Sequence, residues 1–284
     1  MRIFLAGGIT GNLKPDFQRA MKIYLAGTWS RPYCFEEYMK VFLASTHQNK
    51  YNDFDWKNSS VYILESFYYA DEWVERHIPL FKDFLLDSGA FTFMNSSKSK
   101  KIGWEEYVDN YADFINRNKV EKFFELDIDS IVGYETVIKL RNRLEQKTGK
   151  QSIPVWHKTR GKENFFKMCD EYKYVAIGGI VSKEIDQKEY PIFTYLINEA
   201  HKRGAKIHGL GFTSLDGITK YSFDSVDSTA WTTGNRFGAI YKFNGSTIIK
   251  FQKKPGQRLA NSREVALNNF VEWVKFSKYA EMML

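Results

Sequence analysis

The chain has 284 residues, of which 43% are hydrophobic and 17% aromatic, and its formal net charge is +7. That length suits one large domain, because α/β barrels commonly run to about 250 residues. It contains no run of about 18 apolar residues, and its first apolar stretch is too short for a signal peptide, so we expect no membrane span and a cytosolic protein. The two cysteines, Cys34 and Cys169, cannot build a cysteine-rich zinc site, and we expect both to be buried thiols.

Short apolar runs alternate with segments of helical period along the chain. The first 60 residues predict a strand at 1–8, a helix that ends at Gly27, and a further helix at 36–45. Further apolar runs predict seven more strands, at 61–66, 84–91, 123–127, 153–157, 174–179, 206–211 and 222–227. Helical periodicity predicts helices between them, at 69–82, 104–118, 137–146, 164–172 and 191–203.

The pattern changes after the eighth predicted strand. Asn244-Gly245 separates two β-rich runs, 239–243 and 247–251, which indicates a β-hairpin. A last helix follows Asn261, with its apolar stripe predicted at Leu267, Phe270, Val271 and Val274. Eight strands alternating with helices predict an α/β fold, a (β/α)8 TIM-type barrel, with a hairpin after strand 8 and a C-terminal helix. We expect one domain over 1–284.

Polar residues and glycines gather where the predicted strands end. They are Asp87, Asp127, His157, Gly178, Gly179, Gly209, Gly211 and Asp227. A single aspartate at a strand end is commonly a helix cap or turn residue, a lone histidine can be a core residue, and a Gly-Gly pair can be a plain turn. Several on separate strands of a barrel instead indicate an active site. Two carboxylates can divide the work there, one as a nucleophile and one as a proton carrier, as they do at sugar carbons.

The loops next to these strand ends are basic. The candidates for contact with a nucleic-acid backbone are Lys98, Lys100, Lys101, Lys158, Arg160, Lys162, Arg236, Lys250, Lys253, Lys254 and Arg258. Each cluster alone could serve solubility, whereas together they lie on the predicted catalytic face. Trp231 and Phe237 could add stacking surfaces there or pack in the core.

Four of these segments resemble a known family, in the same order along the chain. Residues 86–91 (LDSGAF) resemble the DSGGF motif of the tRNA-guanine transglycosylases, and 176–180 (AIGGI) resemble their AIGGL motif. Residues 209–211 (GLG) are similar to part of their MGVG motif, and 223–227 (FDSVD) are similar in position and spacing to their VDMFD motif. The resemblance extends from about residue 84 to residue 251.

That resemblance implies an α/β barrel that exchanges guanine in a nucleic acid for a 7-deazaguanine. It implies that Asp227 is the nucleophile that attacks the anomeric carbon, with Asp224 as the competing choice. Asp87 would be the general base. Asp127 would recognise the purine, with Asp129 as a competitor two residues on.

The resemblance also implies a substrate pocket around the base. His157 stands in the place of a base-contacting glutamine, and Gly178 and Gly179 would offer backbone groups to the base. The remaining pocket positions implied are Ser88, Phe91, Gly209 and Gly211.

One departure from the family bears on the substrate. Family members that act on tRNA carry a zinc site of three cysteines and one histidine after the eighth strand, and this chain has no cysteine beyond Cys169. We therefore expect no metal and no cofactor, and DNA is favoured over tRNA, as in the zinc-free, sometimes virus-encoded, relatives that insert 7-deazaguanines such as preQ0 into DNA. Two alternatives stay open. One is a nucleoside-level deoxyribosyltransferase or base-releasing glycosylase, and the other is a non-catalytic nucleic-acid-binding barrel.

Overall fold

A computed structural model describes residues 39–48, 51–52, 54–89, 92–93, 102–232, 238–252 and 261–284. Several predictions fall on other residues and so lie outside the described part of the chain. They are the strand at 1–8, the helix ending at Gly27, and the residues Cys34, Phe91, Lys98, Lys100, Lys101, Arg236, Phe237, Lys253, Lys254 and Arg258.

The described residues form a curled, wholly parallel sheet of seven strands. The strands are β1 (Lys40–Ala44), β2 (Tyr62–Ser66), β3 (Asp83–Asp87), β4 (Val155–Trp156), β5 (Tyr174–Ile177), β6 (Lys206–Gly209) and β7 (Ser225–Ser228). Their order across the sheet is β3-β2-β1-β7-β6-β5-β4. The sheet belongs to a compact unit that spans Tyr38–Met282. The single domain expected over 1–284 stays a prediction.

Helices connect the strands, as predicted for an α/β protein. They are α1 (Trp56–Ser59), α2 (Glu72–His77), α3 (Trp104–Arg117), α4 (Asp129–Val132), α5 (Tyr134–Thr148), α6 (Lys162–Glu171), α7 (Ile192–Lys202) and α8 (Leu215–Lys220). A 3₁₀ turn at Thr46–Gln48 follows β1, and another at Phe67–Tyr69 follows β2. None of the helices in the described ranges is long and apolar enough to cross a membrane.

The structure corrects two of the predicted elements. The segment 36–45, predicted as a helix, contains β1, which pairs with β2 and β7. The strand predicted at 123–127 is reduced to two isolated bridges, from Phe123 to Leu86 of β3 and from Phe124 to Ile153 just before β4. The described sheet therefore has seven strands and is not the closed eight-stranded barrel that we predicted.

Side chains on both faces of the sheet are buried. Along β1, Phe42 and Ala44 belong to a cluster on the inner face of the curl, whereas Val41 and Leu43 belong to the core that contacts the helices. Leu85 of β3 also points inward, so Asp87, two residues on, projects from the same face. The curl thus directs alternate strand-end residues towards one common space.

The carboxyl-terminal region matches its prediction in outline. Strands β8 (Ala239–Phe243) and β9 (Ile248–Gln252) form an antiparallel hairpin, and α9 (Ser262–Met283) begins where the Asn261 side chain accepts bonds from two backbone amides. Asn269 of α9 hydrogen-bonds the hairpin backbone at Tyr241 and Ala239. Of the predicted apolar stripe, Phe270 and Val274 are buried, whereas Leu267 is exposed.

Candidate active site

Two further aspartates, Asp127 and Asp227, lie within electrostatic range of Asp87. Asp87 ends β3, Asp127 follows the bridged segment, and Asp227 is the third residue of β7. Removal from water raises the pKa of Asp87 to about 7, and the charges of Asp127 and Asp227 add to the rise while the Gly89 amide opposes it. At neutral pH, Asp87 can therefore both donate and accept a proton.

Asp227 is a buried carboxylate with two hydrogen-bond partners at its Oδ1. The Gly211 backbone N–H donates to it at 2.5 Å, and the His208 Nε2 lies 3.2 Å away. Gly211 adopts a φ of +70°, a conformation that L side chains rarely adopt, so glycine at this position lets the amide reach the carboxylate. The arrangement fixes one oxygen of Asp227 and holds the group in a defined orientation.

His208 is buried in the inner face of the curl beneath Asp227. Its ring contacts those of Phe42 and Phe124, and its Nδ1 lies 2.5 Å from the Ser225 Oγ. Ser225 in turn hydrogen-bonds the hydroxyl of Tyr174. His208 was not among the predicted site residues, although an imidazole inside a predicted strand was the available signal.

His157 bridges two carboxylates. Its Nε2 lies 3.2 Å from the Asp127 Oδ2, and its Nδ1 lies 3.0 Å from the Glu184 Oε2. Burial lowers the pKa of His157, but the hydrogen bond and charge of Asp127 outweigh burial and raise that pKa to about 9. The ring is therefore protonated at neutral pH and orients Asp127, with both of its nitrogens engaged. Glu184 carried no sequence signal.

The glycines predicted for the substrate pocket have identifiable packing roles. A Cβ on Gly178 would lie 2.8 Å from the His157 Cε1 and 2.8 Å from the Val155 Cγ1, so only glycine lets the imidazole occupy its place. Gly179 lies against Glu184, and Gly209 packs on Phe212 and Phe223.

Tyrosines support the turn that follows Asp87. The Tyr107 hydroxyl donates to the Ser88 carbonyl at 2.6 Å, and the Tyr111 hydroxyl contacts the carbonyls of Leu86 and Phe124 at 3.0 and 3.2 Å. The Gly89 amide donates to Asp87 at 3.0 Å. These bonds tie β3 to the bridged segment and so set the position of Asp87 relative to Asp127.

The two competing aspartates are engaged elsewhere. Asp224 precedes β7 at the opposite end of that strand, where the Ile207 amide and the His201 Nε2 hydrogen-bond its carboxylate at 2.7 and 2.8 Å. Asp129 begins α4 and accepts from the Arg160 Nε at 3.0 Å. Asp127 and Asp227, by contrast, both raise the pKa of Asp87 through their charges.

Two of the predicted nucleic-acid contacts have other partners. Arg160 is buried, and its guanidinium donates to Glu125 at 2.6 Å and also to Asp129. This burial and pairing argue against a contact between Arg160 and phosphate. Lys158 is exposed and pairs with Glu189 at 2.6 Å. Trp231 is fully buried and donates to the Ala44 carbonyl, so it is a core residue and offers no stacking surface.

An open groove of about 560 Å³ lies outside the aspartate cluster. Its lining is Asn52, Asp71, Glu72, Trp73, Arg76 and His77, at the start of α2. None of the strand-end residues above contributes to it, and it plays no part in the site described here.

The fold and the aspartate cluster define a parallel α/β protein with an acidic site at the carboxyl ends of its strands. In the described part of the chain, no group of three or more His, Cys, Asp or Glu side chains is arranged to hold a metal ion. No protein-family model matches the chain, and a search of curated proteins gave no match.

Proposed function

We propose that this protein is a base-exchange transglycosylase that replaces guanine in a nucleic acid with a 7-deazaguanine such as preQ0. The observation that carries the proposal is the approach of Asp127 and Asp227, from separate segments of the chain, to Asp87 at the end of β3. One of the three has a pKa of about 7, and another is held by an amide and an imidazole. The resemblance of residues 86–91, 176–180 and 223–227 to transglycosylase motifs supports the same reading.

The reaction divides between two of the carboxylates. In the first half, an oxygen of Asp227 attacks the anomeric carbon, and the bond to guanine breaks with its electrons passing to the base nitrogen, which takes the proton of Asp87. In the second half, Asp87 removes a proton from the incoming base, whose nitrogen attacks the same carbon and displaces Asp227 as a carboxylate. Asp87 ends the cycle protonated, as it began.

Asp127 is the residue that would read the purine. A carboxylate accepts hydrogen bonds from ring and exocyclic N–H groups, which guanine and 7-deazaguanines both offer. The His157 Nε2, 3.2 Å from the Asp127 Oδ2, holds this carboxylate in position. His157 therefore acts through Asp127, and Gly178 makes room for it.

DNA is the proposed substrate rather than tRNA. The chain has only Cys34 and Cys169, so it lacks the cysteines that the tRNA-acting enzymes use after strand 8, and its net charge of +7 suits a polyanion. In a duplex the target guanine would have to leave the stack before attack. The proposal takes the fold to be of TIM type, with the bridged segment at Phe123 and Phe124 in the position of an eighth strand.

The test is incubation of the protein with DNA and preQ0, followed by digestion and mass spectrometry of the nucleosides. We expect 7-deazaguanine deoxynucleoside in the DNA and free guanine in equal amount. Asp227→Asn should abolish both products, whereas the matched control Asp224→Asn, at the other end of the same strand, should retain them. Exchange that survives Asp227→Asn would refute the proposed mechanism.

The same assay separates the alternatives. Guanine release without incorporation would indicate a base-releasing glycosylase, and exchange with free deoxyguanosine but not DNA would indicate a nucleoside-level transferase. Salt-dependent DNA binding without any product, indifferent to loss of both Asp87 and Asp227, would indicate a non-catalytic binding barrel.

A further inference from the structure

Glu65 is a buried carboxylate that the proposed reaction does not use. It lies in β2 and is 1% exposed. It accepts hydrogen bonds from the Thr46 hydroxyl and from the His47 amide at 3.0 Å, and its second oxygen lies 2.6 Å from the His47 Nδ1. A buried carboxylate thus fixes the plane of a histidine ring just beyond the end of β1.

Two exposed tyrosines, Tyr69 and Tyr68, extend the aromatic contact that begins at His47. The Tyr69 ring stacks on the His47 ring, with centroids 4.9 Å apart and planes inclined by 9°. The Tyr68 ring meets that of Tyr69 edge-on at 4.9 Å. Tyr68 is 45% and Tyr69 47% exposed, so the two rings form an aromatic surface that faces solvent.

This surface adjoins the aspartate cluster. Ser66 at the end of β2 pairs in register with Asp87, and both tyrosines lie in the turn Phe67–Tyr69 that follows Ser66. The Tyr68 Cβ lies only 2.6 Å from the place that a Cβ on Gly89 would take. The base of the Tyr68 side chain therefore packs against Gly89, in the turn that follows Asp87, which puts the aromatic surface at the rim of the site.

We infer that His47, Tyr68 and Tyr69 form a platform that stacks an unpaired base of single-stranded DNA next to the target guanine. Aromatic rings bind bases of any sequence through their π-faces, and a guanine that has left the helix exposes the face of its neighbour. Glu65 holds the histidine in place beforehand, so little ordering entropy is lost when a base stacks. The inference rests on the proposed function, because it assigns a DNA strand to that site.

Binding is measured by fluorescence anisotropy with a dye-labelled single-stranded oligonucleotide that contains one guanine. An Asp227→Asn background removes chemistry from the measurement. Tyr69→Ala should raise Kd by about 5- to 150-fold, from about 1–3 kcal/mol per stacked base. Tyr69→Phe keeps the ring and should retain affinity. Tyr195→Ala, at a 42% exposed tyrosine of α7, is the matched control and should leave Kd unchanged.

A second arm replaces the bases flanking the guanine with abasic sites. The abasic sites should weaken binding to the Asp227→Asn protein. They should also abolish the difference in Kd between that protein and its Tyr69→Ala derivative, because the abasic sites and the substitution remove the same stacking contact. Equal binding by Tyr69→Ala and Tyr195→Ala, or no binding of the oligonucleotide at all, would overturn the platform.

The two proposals fail in different ways. Exchange that occurs without any dependence of binding on Tyr69 overturns the platform and leaves the transglycosylase standing. Oligonucleotide binding that depends on Tyr69, in a protein that exchanges no base, supports the platform and refutes the transglycosylase.

Discussion

Asp87 should reduce the stability of the folded chain at neutral and alkaline pH, and Asp87→Asn should remove that penalty. The pKa of Asp87 is about 7 in the folded protein, against an ordinary value of 3.8. Between those values the folded state binds more protons than the unfolded state. The free energy of unfolding therefore falls as pH rises through this window and stays lowered above pH 7.

The size of the effect follows from the displacement of the pKa. A rise from 3.8 to about 7 covers about 3 pH units, each equivalent to about 1.4 kcal/mol. The penalty at high pH is therefore about 4 kcal/mol at most, and smaller to the extent that the partly exposed carboxylate of Asp87 retains contact with water. Desolvation is the largest cause of the rise in the pKa, and the charges of Asp127 and Asp227 add to it.

Urea unfolding at about pH 4 and about pH 8 measures this directly. Asp87→Asn should match the wild type near pH 4 and exceed it near pH 8, while losing base exchange at both. Asp113→Asn, at an exposed aspartate of α3, is the control and should change stability little at either pH. A gap between Asp87→Asn and wild type that does not grow with pH would refute the reasoning.

Two further predictions concern the residues around the aspartates. His208→Leu removes a hydrogen-bond partner of the proposed nucleophile Asp227 and should lower kcat for exchange by about 10- to 150-fold. That range corresponds to about 1.5–3 kcal/mol for a hydrogen bond to a charged group. The control His201→Leu, at the opposite end of the sheet, should leave kcat unchanged. Gly178→Ala drives a methyl group to 2.8 Å from the His157 ring and should lower the free energy of unfolding in urea by about 1–3 kcal/mol, whereas Gly103→Ala, whose Cβ meets nothing closer than 3.7 Å, should be tolerated.

The fold class could be predicted because buried parallel strands are continuous apolar runs closed by polar residues. The strands ending at Asp87 and in the 174–179 segment stand out in this way, and the Asn244-Gly245 turn marked the hairpin. The segment 36–45 was misread as a helix because a short apolar run of four residues has no distinguishing period. Its pairing with β2 and β7, strands about 20 and 185 residues away, decided its structure.

For the candidate site, too, local sequence pattern and tertiary structure each decided a different part. The sequence by itself singled out Asp87, which ends β3, and it placed Asp127 and Asp227 at the ends of predicted strands. In the structure, Asp127 follows two isolated bridges and Asp227 is the third residue of β7. Only the tertiary structure decided their states. The rise in the pKa of Asp87 and the contact of His208 with Asp227 arise between strands distant along the chain. Burial and through-space charge depend on distances that no local pattern encodes.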